Sequence, residues 1–152
     1  MRTIIAIIAL IFSIYIGYKK ADKYRLKFEF YYSFSQFNKK ISNEVSFSQK
    51  TILMIVKDIK TENEFYNAVK SYLIDNIRFE NKLFLTEELD FFNDYCICVG
   101  KGDKESQIAY LNSVQNVINE KLALATEENN KYKTLYVKLG ILIGLMLFIA
   151  II

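Results

Sequence analysis

An uncharged apolar run fills Ile4 to Tyr18 at the start of this chain, and a second fills Leu139 to Ile152 at its end. Few folds accept such a sequence. A hydrocarbon core of about 30 Å takes roughly 20 helical residues to cross, and each run is slightly shorter than that. Flanking groups close the gap: Tyr15, Tyr18, Tyr132 and Tyr136 suit the headgroup layer, and Lys19, Lys20, Lys133 and Lys138 can snorkel outward. The expectation is a transmembrane anchor at 1–18 whose helix continues outward, a polar domain at 19–134 and a transmembrane helix at 135–152.

Arg2 precedes the first run, as in a signal peptide, but Ser13-Ile-Tyr-Ile-Gly-Tyr18 offers no small-x-small cleavage site. An uncleaved anchor is therefore expected. Lys19, Lys20, Lys23, Arg25 and Lys27 follow the first run, and Lys131, Lys133 and Lys138 precede or enter the second, with only Arg2 on the far side. The positive-inside rule then puts the central domain in the cytoplasm and both termini across the membrane.

Proline is absent and the five glycines are Gly17, Gly100, Gly102, Gly140 and Gly144, so the polar segment has a single glycine break. Long helices follow. The first is expected from Ile4 to about Asn43, with Phe30, Phe34 and Phe37 on one face and Tyr24, Phe28 and Tyr31 on another. Ser48 can cap a second helix, where Ile52, Ile55, Val56 and Ile59 repeat at helical spacing. Thr61-Glu-Asn-Glu64 has capping-box form ahead of a third helix that buries Phe65, Ala68, Val69 and Tyr72. Residues 77–85 fit neither period and read as a helix end plus loop. A fourth helix starts at Thr86 with Glu87 and Glu88 in its first turn and Leu85, Leu89, Phe92 and Cys96 on its inner side. Gly100-Lys-Gly102 ends it, Asp103 caps a fifth, and Ile108, Leu111, Val114, Ile118, Leu122 and Ala125 form the buried stripe, with Asn129 and Asn130 as a place for a break. The fold class is all-α: a small antiparallel bundle of five to six helices, flanked by terminal transmembrane helices.

The search for chemistry excludes more than it finds. Histidine is missing, which removes the usual proton shuttle and the commonest metal ligand. Cys96 and Cys98 project from different sides of a helix and are too few for a zinc site, so they read as small buried hydrophobes. Gly100-Lys-Gly102 matches no nucleotide-binding motif. The net charge of +3 is accounted for by the juxtamembrane lysines, which can touch anionic lipid and leave no footprint for nucleic acid. Expected accordingly are no enzyme activity, cofactor, metal or small-molecule substrate. Carboxylates gather in the middle, and Glu87, Glu88, Asp90 and Asp94 offer an acidic docking surface beside their role in stabilising helix starts. Gly140-x-x-x-Gly144 would admit another helix closely, either a second copy or the first span.

These residues carry a resemblance. Gly100-Lys-Gly-Asp-Lys-Glu-Ser-Gln-Ile108 is similar to the L-G-x-S-D-x-x-x-Q-I turn of the stage III sporulation protein AB family. Lys131-Tyr-Lys-Thr-Leu-Tyr-Val-Lys-Leu-Gly140-Ile-Leu-Ile-Gly144-Leu resembles that family's K-x-Y-x-x-L-G-x-L-x-G-L ending. The anchor leading into a basic stretch and Asn43-Glu44-Val45 are similar too. Val99 departs from the leucine before the glycine, Lys101-Gly102 departs within the turn, and no proline stands near Gln49 to Lys50. The segment from Ile59 to Phe65 is also about one helix shorter than the family's six-helix plan. The resemblance implies a soluble domain related to the platform protein of type II secretion systems. It further implies a place in the mother-cell membrane around the forespore, in a secretion-like channel beside a cytoplasmic ATPase and other channel subunits. Lys101, Asp103, Glu105, Gln107, Gly140 and Gly144 match the motif, as structural or assembly residues. A different class of reading is a membrane-tethered structural or regulatory helical protein of division or envelope biogenesis, self-associating through a heptad stripe in 103–131.

Overall fold

The computed structural model describes residues 2–47 and 51–151, with side chains from Thr3 onward. Five helices make up the described chain: α1 (Arg2–Phe47), α2 (Ile52–Lys57), α3 (Glu64–Asp75), α4 (Thr86–Cys98) and α5 (Lys104–Ile151). There is no strand among the described residues, and the number of helices falls at the lower end of the expected five to six. The expected Ser48 cap and the Gln49–Lys50 departure lie outside the described residues. Helix α5 runs without a break through Asn129 and Asn130, because neither residue removes a backbone donor as proline would.

The chain forms two compact units, residues 1–28 with 124–152 and residues 29–123. The first unit holds part of the basic and tyrosine-rich flanks together with the apolar runs.

The first unit is an antiparallel helical hairpin. Its seam is made of small residues: Ala6, Gly17, Ala21, Gly140 and Gly144 are buried, while Ile4, Ile8, Ile11, Leu142 and Met146 are exposed. A Cβ on Gly17 would lie 2.6 Å from the Tyr136 carbonyl oxygen, and one on Gly140 would lie 3.1 Å from the Ser13 carbonyl oxygen. One on Gly144 would lie 3.2 Å from the carbonyl oxygen of Leu10. The backbones therefore touch, and Ser13 Oγ donates to the Gly140 carbonyl at 2.9 Å. Such a seam suits lipid, where apolar burial gives no driving force between helices and close packing replaces it.

The second unit is organised around rings. Phe34 is fully buried and has Phe65 (5.2 Å between centroids), Phe92 (5.8 Å) and Tyr95 (4.7 Å) around it. Phe30 meets Phe65, Phe79, Phe84 and Phe92. The α1 stripe of Phe30, Phe34, Phe37 and Ile41 thus faces α3, α4 and the 76–85 connection, mostly in edge-to-face geometry, which adds to the area the rings bury. Helix α5 contributes Leu111, Val114 and Ile118, as its periodicity indicated.

A polar ladder fixes α1 against α5 within this unit. Asn38 Nδ2 donates to the Leu111 carbonyl and to Gln115 Oε1, both at 2.9 Å. Gln115 Nε2 in turn donates to Ser35 Oγ at 2.9 Å and Asn119 Oδ1 at 2.8 Å. A slip of one turn would leave these amides unpaired, so the ladder specifies register, at the cost of Asn38 Oδ1, which is buried without a hydrogen-bond partner.

Three local expectations are corrected. Helix α3 is capped by Asn63, whose Oδ1 accepts from the Tyr66 N–H at 3.0 Å, rather than by Thr61, and Glu64 accepts from Asn81 instead of closing a capping box. The inner side of α4 is Phe92, Asn93, Tyr95 and Cys96, whereas Leu85 stands at the N-cap and is exposed. Cys98 is exposed as well, so only Cys96 is a buried hydrophobe; burial pushes its thiol up to about 12.

Candidate docking face and the turn between α4 and α5

The four carboxylates of α4 divide into two pairs with different work. Glu87, Asp90 and Asp94 follow i, i+3, i+7 spacing along one face, while Glu88 sits about 100° round from Glu87. Glu88 Oε2 accepts from the Leu85 N–H at 2.9 Å, satisfying a helix-start donor, and Glu88 Oε1 accepts from the Tyr31 hydroxyl at 3.0 Å. Burial, reinforced by the adjacent Glu88 charge, holds the Tyr31 phenol above its ordinary range, so Tyr31 stays a donor. Asp90 pairs with Arg78 at 2.5 Å. Glu87 and Asp94 are exposed. Of the acidic surface read in the sequence, Glu88 is thus a brace between α4 and α1, Asp90 is half-neutralised, and Glu87 and Asp94 face solvent.

Asn93 completes the support of this helix. It is 2 % exposed; its Oδ1 accepts from the Phe79 N–H at 3.0 Å, and its Nδ2 donates to the Phe79 carbonyl at 3.2 Å and the Leu89 carbonyl at 2.8 Å. One side-chain amide therefore satisfies both backbone groups of Phe79 within a connection that lacks regular structure, which holds the Phe79 ring over the core.

The α4–α5 turn is built from the motif residues. Gly100 and Gly102 have φ of +85° and +95°, the left-handed region where a Cβ is strained. A Cβ on Gly100 would also lie 2.8 Å from Ile52 Cδ1, a side-chain end that can shift, so the left-handed φ is what selects glycine there. Asp103 caps α5, its Oδ1 accepting from the Ser106 N–H at 2.9 Å, and these bonds hold its carboxyl below the usual carboxylate range. Gln107 is 6 % exposed: its Oε1 accepts from the Gly100 N–H at 2.9 Å, and its Nε2 donates to the carbonyls of Cys98 and Lys101. Lys101 and Glu105 are exposed. The motif thus separates into a latch, Gln107 with Asp103 and the two glycines, and two charges facing solvent.

The open groove beside this turn, about 800 Å³, is lined by apolar groups such as Ile52, Leu53 and Ile97, with Lys101 and Lys104 as its charged residues. No group of three or more side chains suited to metal lies together among the described residues.

Gly140 and Gly144 face Ser13, Gly17 and Leu10 in the same chain. Between the two partners open to the G-x-x-x-G pair, the first span is the one it meets here. Gly17, Tyr31, Arg78 and Asn93 were not singled out as site residues from sequence. Their partners lie far along the chain or in an aperiodic stretch, and no local spacing marks them.

Helices α1 and α5 are both long and apolar enough to cross a membrane. No curated protein and no solved structure gives a significant match to the chain. The family model for stage III sporulation protein AB matches residues 63–152, more than half of the sequence, taking in α3, α4, the latched turn and the whole of α5. The similar anchor and the Asn43-Glu44-Val45 segment lie outside that match. With the latched turn and the glycine-bearing helix both inside the matched residues, this chain belongs to the stage III sporulation protein AB family and is a protein of that stage of spore formation.

Proposed function

We propose that the protein is a non-enzymatic membrane platform of a secretion-like channel between mother cell and forespore. The hairpin anchors it in the mother-cell membrane, the bundle lies in the cytoplasm, and α4 docks a secretion-type ATPase beside other channel subunits. The observation that carries the docking is the division of labour on α4. Glu88 and Asn93 tie the helix to α1 and to the 76–85 connection, so the exposed Glu87 and Asp94 are presented on a braced element. Charges held in fixed places favour selective, electrostatically steered association. The absence of chemistry in the proposal is supported by where the polar groups go: Glu88, Asn93, Asp103 and Gln107 each serve a cap or a backbone latch.

The tether reading needs an α5 stripe available to a second copy. Leu111, Val114 and Ile118 are buried in the chain's own core, which favours the platform.

The experiment uses the full chain in proteoliposomes and the purified secretion-type ATPase proposed as its partner. Co-sedimentation is expected with the native chain and to fall at least tenfold with Glu87→Lys/Asp94→Lys, while Glu105→Lys leaves it unchanged. Capture that ignores the α4 reversal, or no capture at all, contradicts the docking.

A further inference from the structure

The basic end of the hairpin carries more organisation than membrane topology requires. Topology asks only for an excess of lysine and arginine on one side. Here three of the cations lie over tyrosine rings on both helices: Lys19 Nζ lies 5.9 Å from the Tyr15 ring centroid, Lys23 Nζ 4.7 Å from Tyr24, and Lys131 Nζ 5.5 Å from Tyr132. The two helices are themselves joined at this level, since Tyr24 stacks on Tyr132 at 4.8 Å and on Tyr136 at 5.9 Å. Asp22, the acidic residue of α1 at this level, is bonded to Arg25 at 2.7 Å. Lys133 joins that pair and Tyr18 around a small recess. Exposed ammoniums, tyrosine hydroxyls for the headgroup layer and a paired Asp22 make a collar complementary to phosphate esters, with Glu127 and Glu128 at its edge, within a turn of Lys131 on the side nearer residue 124.

We propose that this collar is a selective site for anionic phospholipid, holding phosphatidylglycerol-type headgroups around Lys19, Lys20, Lys23 and Lys133. The site rests on the reading of α1 and α5 as membrane spans. It sets the depth of the hairpin through ion pairs to lipid phosphate and makes membrane composition a determinant of where the protein resides.

The test is electron spin resonance on the full chain reconstituted in phosphatidylcholine bilayers, with spin-labelled phosphatidylglycerol or phosphatidylcholine as probe. The motionally restricted lipid fraction reports association with the spans. Phosphatidylglycerol is expected to associate at least about fivefold more strongly, the effect of one lysine at the surface. The preference should fall towards one in 1 M salt and with Lys19→Gln/Lys20→Gln/Lys133→Gln. Inorganic phosphate at constant ionic strength should leave it unchanged; competition by that ion would assign the collar to soluble phosphate and overturn the lipid site. A restricted fraction with equal preference for the two lipids overturns the collar and leaves the spans standing. No restricted fraction overturns both.

Discussion

The hairpin and the bundle are held together by opposite means. The hairpin has its smallest residues at its seam and its largest on its outside: Gly17, Gly140 and Gly144 inside, Ile8, Phe12 and Met146 outside. The bundle reverses this, with Phe34, Phe65, Phe92 and Tyr95 fully or almost fully buried. The proposed insertion of the hairpin in lipid would account for the inversion. In water, burying a phenylalanine is among the largest single gains available, so rings collect in the core. In lipid the outside is as apolar as the inside, and helices join only where backbones come close enough for dispersion and hydrogen bonds. Two regions of one chain, each sharing both long helices, thus have the packing expected of two solvents.

Large-to-small substitution should separate them most sharply. Phe34→Ala leaves a cavity at the centre of the ring cluster and is expected to cost about 3–5 kcal/mol, read as a drop in bundle stability by denaturant titration of the full chain in detergent. Ile8→Ala, at a residue 61 % exposed, should leave helix content and stability unchanged in the same titration. Equal losses would break the comparison.

The converse substitution should act on the hairpin. Gly17→Leu places atoms where the Tyr136 carbonyl stands, an overpacking of about 1–3 kcal/mol. Spin labels on Phe12 and Leu145 should move apart, and the bundle's denaturant midpoint should hold. An unchanged distance would show that the seam is not set by the glycines.

Smaller effects sharpen the account. Gln107→Leu removes the acceptor of the Gly100 N–H and the donor to two carbonyls, at about 1–3 kcal/mol for the buried groups left unpaired. Hydrogen exchange at Gly100 should accelerate well beyond that of α4 as a whole. Ser13→Ala should cost only ~0.6 kcal/mol, the average for hydrogen bonds between membrane helices, and a hairpin opened by it would mean that polar bonding outweighs packing.

How far the sequence revealed this arrangement depends on the range of each interaction. Periodicity found all five helices and most of the α5 stripe, because an amphipathic helix declares its face within a few residues. The cap of α3 was misplaced because Thr61 and Asn63 are both able caps two residues apart, and Asn63 is held in place by a bond from its Nδ2 to Ser33 Oγ, thirty residues away. Leu85 looked like the start of the α4 stripe, yet it precedes the first helical turn and so points elsewhere. The 76–85 connection had no readable period since three of its backbone N–H groups go to scattered side chains, Phe79 to Asn93, Leu83 to Asn81 and Leu85 to Glu88. Of the candidate site, the acidic residues and the motif were visible, but the separation of Glu88 and Asp90 from Glu87 and Asp94 was not. It depends on Tyr31 and Arg78, which no spacing connects to α4. The G-x-x-x-G spacing marks one side of the Gly17–Gly140 approach, but nothing local to Gly17 marks the other or chooses the first span over a second copy.

The claim on which platform, collar and comparison all rest is that the hairpin sits in lipid while α4 sits in water. Spin labels at Ile8, Leu142, Glu87 and Asp94, on a Cys96→Ala/Cys98→Ser background in proteoliposomes, measure this as relative accessibility to oxygen and to a water-soluble nickel relaxant. The account predicts oxygen-dominated relaxation at Ile8 and Leu142 and nickel-dominated relaxation at Glu87 and Asp94. Nickel access at Ile8 and Leu142 equal to that at Glu87 would contradict it.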